Sequence, residues 1–350
     1  MLRPDPVMGQ EAGTAMARGW RMTILKRLFQ LGLIGLGLGW LNNTSLLFDP
    51  DRGPGLRLLS NRGVHQIARP GPAGDAACTA RRIAPVAHPY IENTIPAIRA
   101  AFDAGAAVVQ LDVQLVPDGR FVVFHDQRLE CRTEGSGLTG AQPLTYLKSL
   151  DVGYGYTADG ETFPLRGTGV GMMPTLREVL EAELGGRYMI RFASQRIEEG
   201  TALAALLARP EWRRQVWGVS GSAIPVRAAE AALPGLRGHD AGRGEECLKL
   251  YMLLGWAGYV PQSCSGGMVA VPVDVGPWLW GWPHRFTWRM AKAGTEVILL
   301  GPRSGGGGAS GVDTPAHWAA VPEGFDGFVW TNRVEVFAAG MPRADLVGQR

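Results

Sequence analysis

Four short clusters hold residues able to do chemistry: Asn61-Arg62-Gly63, Glu92-Asn93-Thr94, Gln110-Leu111-Asp112 and His125-Asp126. Arg191 ends a further apolar stretch, Tyr188-Met-Ile-Arg191-Phe192. Arginine offers a planar fork of charged donors that grips anions. Histidine takes and gives a proton near neutral pH, and carboxylate oxygens suit hard divalent cations. These residue types together describe a site that holds an anion and moves a proton beside it. Within it, His125 is the first candidate acid/base, and Asp126 can orient its ring or cap the following turn. His65, four residues beyond Asn61, is a second candidate, with an ordinary loop histidine as the plain alternative.

The clusters fall at the ends of elements that must position them. Leu56–Leu59, Val108–Val113, Phe121–Phe124, Arg187–Phe192, Gln215–Val219, Val269–Val273, Val297–Leu300 and Gly327–Trp330 read as short apolar strands. Helical patterns lie at Ile95–Phe102, Thr175–Glu183, Ala202–Leu207, Pro283–Ala293 and Thr314–Ala320. This βα alternation argues for a parallel sheet, and its count fits a (β/α)8 TIM barrel. In such a barrel the strand C-termini face the active site, and that is where the clusters sit.

The series resembles the glycerophosphodiester phosphodiesterase family. Its pattern is His-Arg-Gly, Glu-Asn-Thr before a helix, Glu-x-Asp on a strand, Asp-Gly in a turn and a closing His-Asp. Here it reads Asn61-Arg62-Gly63, Glu92-Asn93-Thr94, Gln110-Leu111-Asp112, Asp118-Gly119 and His125-Asp126. The likeness continues through Glu134-Gly-Ser-Gly137, Leu147–Gly153 and Pro174-Thr-Leu-Arg-Glu178. It ends at Thr331-Asn332, where the family more often has Thr-Asp. The resemblance implies a phosphoric diester hydrolase of lipid metabolism, acting on glycerophosphodiesters or phospholipid-derived head groups with a divalent cation, calcium or magnesium.

Carried over position by position, Arg62 matches the phosphate-binding arginine, Asp112 a metal carboxylate and His125 the second catalytic histidine. Asn61 stands where the first histidine belongs, and an amide does not titrate. Gln110 replaces a metal carboxylate, and Arg191 falls where a third is usual. Glu92 lies near the metal position without being the family's main ligand. Three carboxylates sum to −3, whereas Asp112 with Arg191 sums to zero. The expectation is a weak or absent metal site. Arg191 then either takes the cation's electrostatic role, as an arginine does in the related bacterial phosphatidylinositol-specific phospholipases C, or the barrel is a pseudoenzyme that binds a phosphodiester without turnover.

The rest of the chain sets the context. With 35 basic against 32 acidic residues, the net charge of +3 is too weak to argue for a nucleic-acid partner. Cys78, Cys131, Cys247 and Cys264 show no metal-ligand spacing. They form two disulfides if the chain is exported, with Cys247–Cys264 closing a short loop, or remain buried thiols. Residues 1–23 read as an unstructured cytoplasmic N-terminus, 24–48 as a signal anchor or export signal, 49–55 as a linker, 56–340 as the barrel and 341–350 as a tail. Lys26 and Arg27 precede the apolar run Leu28–Leu41, which places the barrel on the non-cytoplasmic side. Pro277–His284 holds three tryptophans, suited either to core packing in a long loop or to a membrane-proximal lip. Ser304–Gly311 reads as a flexible loop, and His239, His284 and His317 as surface residues.

Overall fold

The computed structural model describes residues 7–45, 54–69, 71, 78–303 and 310–338. The expected 341–350 tail and most of the 49–55 linker and of Ser304–Gly311 lie outside them.

Nine strands form one sheet: β1 (Leu56–Asn61), β2 (Ala106–Leu115), β3 (Phe121–Val123), β4 (Arg187–Phe192), β5 (Val216–Gly221), β6 (Arg237–Asp240), β7 (Met268–Pro272), β8 (Glu296–Leu300) and β9 (Gly327–Thr331). All but β3 run parallel, in the order β6-β5-β4-β2-β1-β9-β8-β7. At the seam between the two outermost strands, His239 Nδ1 donates to the Met268 carbonyl at 3.2 Å. The result is a nearly closed eight-stranded TIM barrel. His239 therefore faces a strand seam rather than open surface.

Strand alternation explains how the barrel builds a polar mouth over an apolar floor. All ten residues of β2 are buried. Val109, Leu111, Val113 and Leu115 pack outward against the helices, and Val108 joins Leu59, Met189, Trp217, Met268, Ile298 and Phe328 inside. Two residues further along the same inner face come Gln110 and then Asp112. In register beside them stand Asn61 on β1, opposite Gln110, and Arg191 on β4, opposite Asp112. The side chains picked out from the sequence thus share one layer because they share one parity.

β3 turns back antiparallel on β2, pairing Val113 with Val123. The reversal needs Gly119, whose φ of +70° lies in the left-handed region that glycine adopts without strain. Phe124 N then bonds the Asp112 carbonyl at 2.9 Å, which delivers His125 and Asp126 to the mouth.

An N-terminal helix, α1 (Val7–Asn43), precedes the barrel. Residues 7–23, part of the 1–23 stretch expected to lack structure, are helical. Its 22-residue apolar part, Met22–Asn43, is long and apolar enough to cross a membrane, at about 33 Å against a hydrocarbon core of about 30 Å. Its added length lies upstream of Leu28 and at Asn42–Asn43, while Leu46–Phe48 lie outside the described residues. Around the end of α1, Arg289 donates to the Asn42 carbonyl at 2.7 Å and to Asn43 Oδ1 at 3.0 Å. Arg285 Nε donates to the Thr44 carbonyl at 2.9 Å. A helix C-terminus exposes unpaired carbonyls and partial negative charge, and two guanidinium groups meet that need here.

The cysteines form two disulfides, Cys78–Cys131 and Cys247–Cys264. The first ties the turn Thr79–Arg82 to the turn that carries Arg132. In chain-entropy terms, closing a loop of 53 residues stabilises by about 4 kcal/mol.

Candidate active site

The mouth is an alternating chain of cations and carboxylates. Arg191 Nη1 lies 2.9 Å from Asp112 Oδ1, and Arg62 Nε 2.9 Å from Asp112 Oδ2. Arg62 Nη1 reaches Glu92 Oε1 at 3.0 Å. Arg132 contacts both Glu92 oxygens at 3.1 Å and donates from Nη1 to Asp126 Oδ2 at 2.9 Å. The other Asp126 oxygen lies 2.6 Å from His125 Nδ1. Three guanidinium groups thus face three carboxylates, with His125 at one end and Arg191 at the other.

Local backbone geometry holds this chain in place. Arg62 and Asn93 are non-glycine residues in the left-handed region, at φ 59° and 58°. Such residues persist only where their surroundings over-determine them. Arg62 N bonds the Gln110 carbonyl and Asn93 N bonds the Arg62 carbonyl, each at 2.9 Å. The Asn93 amide then donates to Asp112 Oδ2 at 3.2 Å. Gly63 has no alternative, because a Cβ there would lie 2.7 Å from the Ala97 backbone.

Electrostatics follow from burial and pairing. Burial works to raise the Asp112 carboxyl, but Arg62, with His125 and Arg191, holds it well below the usual carboxylate range. Glu92 behaves alike: burial is opposed and outweighed by Arg132 and Arg62. Burial lowers the His65 imidazole below its usual value. Its Nδ1 donates to the Gly63 carbonyl at 3.1 Å, so the proton sits there and Nε2 carries the lone pair.

The shift at His65 has a stability consequence. A histidine depressed in the fold binds its proton more readily in the unfolded chain, so stability is full above the unfolded value of about 6.5 and declines as pH falls below it. Between pH 6.5 and 5 the melting temperature of His65→Gln is expected to fall less steeply than that of the parent. Parallel slopes would show that His65 adds nothing to acid sensitivity.

A second network crosses the mouth through neutral amides. Trp330 Nε1 donates to Gln110 Oε1 at 3.2 Å, Gln110 Nε2 to Asn61 Oδ1 at 3.0 Å, and Asn61 Nδ2 to Asn332 Oδ1 at 2.8 Å. Asn332 Nδ2 closes the run on Asp313 Oδ2 at 2.7 Å. Asn61 and Gln110 are thus bonded to one another. Beside this run a cavity of about 540 Å³ opens, lined among others by Gln110, Arg191, Ser194, Ser220, His239 and Trp330.

Of the residues singled out in the sequence, Arg62, Glu92, Gln110, Asp112, His125 and Arg191 meet in the mouth, with Asn61 among them. His65 is buried three residues beyond Arg62 and bonded to the Gly63 carbonyl. Arg132, Asp313 and Trp330 were missed. Arg132 lies just ahead of Glu134-Gly-Ser-Gly137, so the motif likeness stops two residues short of it. Asp313 and Trp330 carry no local signal, since only the closing of the barrel brings them to Asn332 and Gln110.

The fold is a TIM barrel with a charged, largely buried site at the strand C-termini. Residues 82–199 match the model of the Glycerophosphoryl diester phosphodiesterase family. The chain is 40% identical over 90 residues to a glycerophosphodiester phosphodiesterase of Caldanaerobacter subterraneus subsp. tengcongensis, spanning 26% of this chain and 34% of that protein. A Bacillus altitudinis glycerophosphodiester phosphodiesterase is 37% identical over 92 residues, spanning 34% of its length. The chain thus aligns with about a third of these relatives. Among solved structures, the glycerophosphoryl diester phosphodiesterase domain of an uncharacterized Mycobacterium tuberculosis protein superposes with a TM-score of 0.57 at 18% identity, covering 82% of this chain and 98% of that one. A glycerophosphodiester phosphodiesterase from Agrobacterium tumefaciens gives 0.54 at 19% identity, covering 81% and 99%. The family match thus covers residues 82–199, about a third of the chain, and the likeness to the solved structures shows a shared fold.

Proposed function

We propose that this chain is a membrane-anchored phosphodiester hydrolase, acting on glycerophosphodiesters or phospholipid-derived head groups, in which arginine stands in for the family's divalent cation. The observation that carries this reading is Asp112 held between Arg62 and Arg191, with each carboxylate oxygen already on a guanidinium. Glu92 is likewise occupied by Arg62 and Arg132, and the Gln110 amide by Asn61 and Trp330. The donor set does not fit calcium or magnesium. A dication there would sit beside two guanidinium groups, an unfavourable contact of several kcal/mol at low effective dielectric.

The same groups suit a phosphodiester directly. Arg62 and Arg191 present charged donors to the phosphate oxygens. Asp126 holds the Nδ1 proton of His125, leaving Nε2 to take a proton from the attacking hydroxyl or give one to the departing alcohol. Among the described residues, the lining of the cavity beside Arg191 holds no carboxylate, and buried Ser220 Oγ has no hydrogen-bond partner. That lining fits an uncharged, hydroxylated alcohol moiety.

The pseudoenzyme reading has one observation in its favour: Asn61, which does not titrate, is locked at both ends in the amide run. Release of glycerol 3-phosphate from glycerophosphodiesters, measured with EDTA and with excess calcium, separates the readings. Turnover is expected to differ by less than about twofold between the two conditions. Turnover abolished by EDTA and restored by calcium would overturn the arginine mechanism. Ligand binding with no turnover in either condition would favour the pseudoenzyme.

The anchor reading rests on α1 and on two disulfides, which persist in exported proteins. Arg289 is buried, and cleavage of α1 would strip it of Asn42 and Asn43. That supports an uncleaved segment, with the barrel on the non-cytoplasmic side.

A further inference from the structure

Beyond anchoring by α1, the barrel carries an aromatic face around the point where that helix docks. The Asn42 and Asn43 amides both donate to the Trp256 carbonyl, at 3.1 and 2.7 Å. Arg289, which holds the Asn42 carbonyl, also donates to Tyr251 OH at 2.9 Å. Tyr251 OH donates in turn to the Trp280 carbonyl at 2.9 Å, and Trp280 Nε1 to the Met252 carbonyl at 2.8 Å. These bonds tie the end of α1 to three surface segments: Met252–Tyr259, Trp278–Trp280 and the helix His284–Lys292.

Large side chains on those segments point outward. Trp256 and Tyr259 are each 55% exposed and Trp278 is 76% exposed, with Leu253, Trp280 and Trp288 also open. Single exposed apolar residues need no explanation, but a contiguous aromatic cluster does. Trp40, in the last turns of α1, is exposed beside them. Lys292 Nζ lies 5.7 Å from the Trp288 ring centroid, which puts a cation at the edge of the cluster. Tryptophan and tyrosine favour the headgroup level of a bilayer, and cations flank them there.

We propose that this face rests on the lipid surface, so that the barrel itself, and not only α1, is seated in the interfacial layer. The proposal builds on the anchor reading above. Continuity selects lipid over a protein partner: segments that carry the patch are hydrogen-bonded to the end of the one helix, among the described residues, that is long and apolar enough to span a bilayer. Of the expected aromatic segment, only Trp282 packs inward, against Phe286 and Phe325. Trp278 and Trp280 form the lip.

The test uses the full chain labelled with 5-fluorotryptophan in nanodiscs of phosphatidylcholine and phosphatidylglycerol. Fluorine resonances are assigned by Trp40→Phe, Trp256→Phe, Trp280→Phe and Trp288→Phe, with buried Trp217 as the internal reference. A lipid carrying a headgroup-level nitroxide is expected to reduce the Trp40, Trp256, Trp280 and Trp288 signals at least twofold, while a water-soluble gadolinium chelate leaves them nearly unchanged. If Trp40 responds to the nitroxide but the other three respond to the chelate, α1 is inserted and the seating proposal is wrong. If Trp40 also responds only to the chelate, the anchor reading fails and the seating falls with it.

Discussion

Replacing Arg132 with leucine is expected to remove about 3–5 kcal/mol of stability, the usual consequence of stripping one partner from a buried ionic cluster. Arg132 is 2% exposed and binds both Glu92 oxygens, Asp126 and Thr79 Oγ1 at 2.8 Å. Burial opposes its charge, yet Glu92 beside it raises its pKa above the ordinary value. Without it, Glu92 keeps Arg62 alone and Asp126 keeps His125 alone. Leucine fills volume but meets neither carboxylate. Urea denaturation at pH 7 reads the effect, and a loss under about 1 kcal/mol would show that the cluster relaxes at little cost. Arg132→Lys retains the charge but not the planar fork, and is expected to recover only part of the difference.

His125→Ala is expected to lower turnover by about 10²- to 10⁴-fold, the range for a positioned acid/base, with KM changed far less because Arg62 and Arg191 still meet the phosphate. Asp126→Asn should act in the same direction and more weakly, since it leaves the imidazole in place but loosens the contact at Nδ1. Initial rates of glycerol 3-phosphate release measure both. An unchanged kcat in His125→Ala would remove His125 from the chemistry and direct attention to the buried lone pair of His65.

Much of this was legible before any coordinates. The barrel follows from βα alternation, and the strand at Arg187–Phe192 falls on the expected residues. What escaped did so for local reasons. β6 has only four residues, Arg237-Gly-His-Asp240, too few for a period-two pattern to register. The helix Ala241–Leu254 begins Ala-Gly-Arg-Gly, and glycine disfavours helix. At the site, motif positions singled out Arg62 and Asp112, which the structure joins, and it sets Arg191 on the other oxygen of Asp112. No motif could show that Arg132 closes the ion chain, because its partners lie 40 and 6 residues away and meet only in the folded mouth.

The amide run from Trp330 to Asp313 bears on how freely the site can be rewritten. Asn61→His alone takes a donor from Asn332 and an acceptor from Gln110. Gln110→Glu alone sets a carboxylate against the Asn61 amide oxygen and leaves that oxygen without its hydrogen bond. Each single reversion toward the family pattern therefore breaks a bond before it restores a function, and the benefit arrives only when several positions change together. Asn61 and Gln110 are therefore expected to tolerate change together better than singly, because each is the other's hydrogen-bond partner.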